Sequence, residues 1–148
     1  CSDSGTGHSR VGQRYWKGSS TCLHDYDGQP ALNSTLFTSV GYGTEVRKPD
    51  AGPQKPTPMS YPILRRYADE PGQKLTPQIL QVNGNINDPR GTGGTCSGDS
   101  GGPSFHGGYV VTVTSYGYTS NCRYLGGLQR VDIPVVQRWL ATYGVRFG

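Results

Sequence analysis

The segment Thr95 to Phe105, TCSGDSGGPSF, sets Ser100 among glycines. A serine hydroxyl is a poor nucleophile. Using it for hydrolysis requires that its oxygen be presented to a carbonyl carbon while N–H donors meet the charge that develops on the carbonyl oxygen. Gly98-Asp99-Ser100-Gly101-Gly102-Pro103 has the composition for both tasks. Its glycines allow a tight turn and close approach of substrate to backbone, and the N–H groups of Gly98 and Ser100 can converge on one point as an oxyanion hole. The chemistry this spells is acyl transfer through Ser100.

Two other readings compete. A Gly-rich run between strands is ordinarily just a turn, but six residues in this order are more specific than a turn requires. The same residues also satisfy the Gly-x-Ser-x-Gly nucleophile elbow, whose acid and then histidine follow the serine. Here His106 comes first and Asp132 second, and Gly and Pro interrupt the chain too often for serial βαβ units.

The elements that must position Ser100 read as short strands. The chain has 148 residues, the size of one domain, and its 23 glycines and 11 prolines approach the proportion that accompanies disorder. Its apolar residues nevertheless gather in short runs between turn residues, as in an all-β domain. Thr35 to Val40 is β-branched and aromatic and runs into Gly41-Tyr42-Gly43. Thr44 to Pro62 carries prolines at 49, 53, 56, 58 and 62, which withhold ladder donors and predict a surface loop. Ile63 to Ala68 and Gln78 to Val82 are candidate strands, and Asn83 to Gly94 is a polar loop leading to the serine. Pro103 to His106 and Tyr109 to Tyr116 flank Gly107-Gly108 as a hairpin, and Leu128 to Val131 is a last strand. The period then changes. Pro134 suits a first helical position, and Asp132 stands where a cap or dipole-favoured acid belongs. Val135, Val136, Trp139, Leu140 and Tyr143 recur at helical spacing before Gly144. Trp139 is expected to anchor this helix.

The net charge of +4 is mild, with local pairs Arg47-Lys48 and Arg65-Arg66 and no aromatic-interleaved basic stripe, so nucleic acid is not expected as a partner. No apolar run is long enough for a transmembrane helix, and no signal peptide is visible. The first residue is Cys1, not Met, so a preceding segment is expected. Four cysteines in so small a domain point to an oxidising compartment, extracellular or periplasmic, and leave their pairing open. His and Cys do not cluster at ligand spacing, so neither a metal nor another cofactor is expected. Asn33-Ser34-Thr35 fits a glycosylation sequon.

The nucleophile segment, with Gly41-Tyr42-Gly43 and Ser115-Tyr116-Gly117, resembles the C-terminal barrel of trypsin/chymotrypsin-like serine proteases over about residues 31 to 143. The resemblance implies a six-stranded antiparallel Greek-key β-barrel with a C-terminal helix at residues 31–148. Residues 1–30 would be an irregular segment, a remnant or divergent replacement of the first barrel. It implies a disulfide between Cys96 and Cys122, which leaves Cys1 to pair with Cys22. Ser115, Tyr116 and Gly117 would form the edge that pairs with extended substrate backbone. Gly94, six residues before Ser100, stands where trypsin-like members carry an aspartate that selects Arg or Lys. Without that charge, and with Gly117 and Gly126 as walls, the pocket is expected to be open and apolar and to take a large aromatic or aliphatic side chain.

The other half of the active site is not legible. Ser100 needs a general base and a carboxylate to orient it, and in the family both precede the serine. His106 reads as an exposed turn residue and His8 as a solvated loop residue, while His24 and Asp25 are adjacent and point apart in extended chain. Asp3 lacks the apolar residues that should follow it. Asp99 would pair in the family with a new N-terminal amine, or with an internal arginine, for which Arg90 and Arg130 are the candidates. Two function classes follow. One is a serine endopeptidase, present as its C-terminal part, with polypeptide substrates or inhibitors and a missing N-terminal barrel as partners. The other is a non-catalytic pseudoprotease that binds through the strand-edge groove. A lone second barrel would also expose the face that packs on the first, and such apolar surface favours association.

Overall fold

The computed structural model describes residues 31–46 and 59–145. The proposed N-terminal segment 1–30, with Asp3, His8, His24, Asp25 and the Cys1–Cys22 pair, lies outside the described residues.

Alternating inward and outward residues in β1 (Leu36–Gly41) bury Phe37 and Ser39 and leave their neighbours half-buried. The same periodicity recurs in β5 (Ile79–Asn83), which buries Leu80 and Val82. With β4 (Arg66–Leu75), β6 (Pro103–His106), β7 (Tyr109–Gly117) and β8 (Leu125–Arg130) these strands close an antiparallel barrel in the order β1-β4-β5-β8-β7-β6. The step from β5 across to β6 leaves β8 between β5 and β7, which is the Greek-key arrangement. The long connection 84–102 that makes this step carries Ser100. Phe37, Leu80, Val82 and Leu128 are fully buried and, with Leu32 and Val111, form the apolar core. Leu32 comes from a four-residue helix, α1 (Ala31–Ser34), that precedes β1. Polar groups share the interior: Ser39, Ser104, Thr112 and Glu70 are all buried.

Several sequence expectations shift. The loop expected from Thr44 to Pro62 is closed by a short ribbon in which β2 (Glu45–Val46) pairs with β3 (Met59–Ser60). The strand expected at Ile63 to Ala68 instead starts at Arg66 and continues through Pro71 to Leu75, and Ile63 is 91% exposed before it begins. Pro71 is tolerated because it faces Leu36 on β1, while the pairing with β5 starts only at Gly72, beside a register shift. The last strand begins at Leu125, three residues before the apolar run that betrayed it, because Gly126 and Gly127 pair with both neighbours.

The terminal helix α2 (Pro134–Ala141) has proline at its start, and its capping position is Ile133, which contributes no side-chain bond. Asp132 does not cap it. Its carboxylate takes two bonds from Arg130, Nε to Oδ1 at 2.9 Å and Nη2 to Oδ2 at 2.7 Å. Gly144, at φ 81°, ends the helix with its N–H donating to the Ala141 carbonyl. Trp139 does not anchor the helix to the described barrel: it is 59% exposed and packs on Tyr143, ring centroids 5.0 Å apart. No helix of the described residues is long and apolar enough to cross a membrane.

Candidate active site

Two glycines shape the turn that carries Ser100. Gly98 and Gly101 have φ of 95° and 81°, in a region where a side chain would be strained. The Gly101 N–H donates to the Thr114 carbonyl and the Thr114 N–H to the Gly102 carbonyl, both at 2.9 Å, so β7 holds the turn on one side. On the other, the Thr44 N–H donates to the Ser97 carbonyl at 2.8 Å. The Cys96–Cys122 disulfide, with Cα atoms 5.3 Å apart, fixes the base of the turn to the segment between β7 and β8. Ser100 itself is exposed.

Asp99 points the other way. Its Oδ1 accepts from the Gly43 N–H at 2.7 Å and its Oδ2 from the Cys96 N–H at 2.9 Å. Gly41 and Gly43 make room for this carboxylate: a Cβ at Gly41 would lie 1.9 Å from Oδ1, and one at Gly43 2.5 Å from Cγ. Neither arginine considered for Asp99 reaches it. Arg90 binds Asp88 through Nε and Nη2 at 2.9 and 2.7 Å, and this bond holds the Asp88 carboxyl down at about 2. Arg130 is engaged with Asp132 and with the Thr76 carbonyl. Backbone N–H groups do the work expected of a cation, because the carboxylate is short enough to bridge from its own turn to the Gly41-Tyr42-Gly43 turn.

Ser100 stands on a cavity of about 330 Å³ whose other walls include Ser97, Thr114, Ser115, Tyr116 and Gly117. A Cβ at Gly117 would meet nothing within 4 Å, so this glycine keeps the wall open. Tyr116 lies across Gly127, where a Cβ would come within 2.3 Å of its ring; Gly127 is a supporting residue that sequence reading missed. The cavity is rich in hydroxyls, including Thr95, Thr119 and Ser120, and is not the apolar slot expected. Gly94 and Gly126 are absent from its lining and instead border an adjoining recess of about 10 Å³. Gly94 is small for a reason unrelated to substrate: a Cβ there would lie 2.8 Å from the Gly84 Cα. Glu70 also borders this recess. Nothing in the sequence around Glu70 flagged it, because the charge arrives from a barrel strand rather than a pocket loop.

His106 is not brought to Ser100. It sits at the far end of β6, half-buried rather than exposed, with Nδ1 3.4 Å from the Leu36 carbonyl and its ring 5.3 Å from that of Phe37. No group of three or more metal-binding side chains occurs among the described residues.

A closed six-stranded antiparallel barrel followed by a C-terminal helix, with an exposed serine on a glycine turn beside a cavity, has the architecture of a chymotrypsin-like barrel. The trypsin family model matches residues 18–140, most of the chain, and the protein belongs to the trypsin family. No curated protein matches it.

Proposed function

We propose that this protein is a serine endopeptidase acting through Ser100, and that its substrates are polypeptides, met in an extracellular or periplasmic setting where the Cys96–Cys122 bond persists. The observation that supports this most strongly is the exposed Ser100 at the rim of the cavity faced by Ser115, Tyr116 and Gly117. In this reading an extended substrate lies along that edge of β7, its side chain in the cavity. The Ser100 Oγ attacks the scissile carbonyl carbon, and the resulting oxyanion takes hydrogen bonds from the Gly98 and Ser100 N–H groups. The Ser100 proton passes to a base and then to the leaving amine, and water releases the acyl group by the same route. Base and orienting acid come from outside the described residues, since His106 faces elsewhere.

That orientation of His106 favours a second reading, a binding domain that keeps the β7 edge without catalysis. A fluorophosphonate probe separates the two. Slow labelling that maps to Ser100 and disappears in Ser100→Ala is expected for the endopeptidase. A protein that binds extended peptides yet takes up no label at Ser100 is the binding domain.

A further inference from the structure

Arg66 opens β4 directly opposite Gly41 of β1, which brings its side chain over the Gly41-Tyr42-Gly43 turn. Its Nη2 donates to the Gly43 carbonyl, and its Nη1 pairs with the Glu45 Oε2 at 3.0 Å. The carbonyl of Gly43 and the N–H of Thr44 belong to one peptide group. That N–H donates to the Ser97 carbonyl at 2.8 Å, and the Thr44 hydroxyl adds a bond to the same oxygen at 3.1 Å. Ser97 enters the turn that presents Ser100. A cation therefore reaches the nucleophile turn through a single peptide group.

Two physical effects follow from that placement. A guanidinium on a carbonyl polarises the peptide group and strengthens the bond its N–H donates. Gly43 lacks a side chain to restrict its own rotation, so an outside contact on its carbonyl is what fixes the plane of the Gly43–Thr44 peptide. The N–H on the other side of Gly43 is the one that donates to the Asp99 Oδ1 at 2.7 Å, so the same glycine serves both anchors of the turn. We propose that Arg66 is a positioning residue for Ser100, holding the Gly43–Thr44 peptide in the orientation that anchors the nucleophile turn at Ser97. Glu45 aims the guanidinium, and through it the β2–β3 ribbon takes part in setting the turn. The inference rests on the reading of Ser100 as the nucleophile, yet the contact itself can be tested without any reaction at Ser100.

Native-state hydrogen exchange at the Thr44 amide and the rate of fluorophosphonate labelling at Ser100 are measured on the full chain and its variants. Arg66→Met should lower Thr44 protection and Ser100 labelling by about tenfold each, the effect of one charged hydrogen bond. The core amides of Leu80 and Leu128 should keep their protection, which a general loss of stability would not allow. Arg66→Lys keeps the charge but not the fork that spans Gly43 and Glu45, and about threefold is expected. Arg65→Met removes the same charge from an exposed neighbour and should change neither readout. Unchanged Thr44 protection in Arg66→Met overturns the proposal, as does lowered protection with unchanged labelling. So does an equal loss in Arg65→Met, which would make the effect one of overall charge. Should Arg66→Met fail to fold, Arg66→Lys takes its place under the same criteria. An unaltered protein whose Ser100 takes up no probe would remove the protease reading, and exchange at Thr44 would then decide alone whether Arg66 holds the turn.

Discussion

Two carboxylates close enough for their charges to interact are treated in opposite ways. Asp99, on the nucleophile turn, has a backbone donor on each oxygen and two glycines cleared from its path. Glu70, on β4 inside the barrel, has an oxygen, Oε1, with no hydrogen-bond partner among the described residues. Burial pushes its carboxyl up to about 7, with the neighbouring Asp99 charge adding to the shift and the Ser39 hydroxyl opposing it. The first carboxylate is a brace that fixes the turn presenting Ser100. The second is a buried acid whose ionisation costs stability.

The comparison is most exposed to a change at Glu70. Between pH 4.5, its ordinary value, and about 7 the folded protein binds more protons at this site than the unfolded chain, so stability falls as pH rises through that window and is flat beyond it. The span corresponds to about 3 kcal/mol. Chemical denaturation across pH 4 to 8 should show this decline, and Glu70→Gln should flatten it and stabilise the protein at pH 8.

Asp99→Ala should act with the opposite sign. It strands the Gly43 and Cys96 N–H groups, for an expected loss of about 2 kcal/mol in urea unfolding, together with loss of fluorophosphonate labelling. If Asp99→Ala were neutral, the brace would not exist.

A gentler probe of the same brace is Gly41→Ala, whose methyl would collide with the Asp99 Oδ1. About 1–2 kcal/mol is expected, again with slower labelling, because the carboxylate must move. Trp139→Ala gives the smallest effect, under about 0.5 kcal/mol, since that side chain is exposed on α2 and touches neither carboxylate.

Ser100, its glycines and the alternating strands could be read directly, because turn chemistry and period-two burial are local properties. The barrel order follows from the family once those are seen. What could not be read is whatever depends on distant segments meeting. Gly41 and Gly43 looked like turn residues, and only their approach to Asp99 reveals that they hold open its site. Pro71 and Gly72 looked like the end of a strand, and it is their place against β1 and beside a register shift that lets β4 run on. Trp139 had helical spacing with apolar neighbours, yet spacing does not say whether a partner surface exists, and the described residues bury none of the side chains of α2. Glu70 sat in an unremarkable polar stretch, and its meaning arises from β5, β8 and the disulfide-linked segments closing around it.

The central claim is that Ser100 forms an acyl-enzyme, and the most direct measurement is peptide mapping by mass spectrometry after brief exposure to a p-nitrophenyl ester. The expected result is one acyl group on the peptide containing Ser100, absent from Ser100→Ala and reduced in Asp99→Ala. An intact protein that remains unacylated at Ser100, or the same adduct in Ser100→Ala, would contradict it.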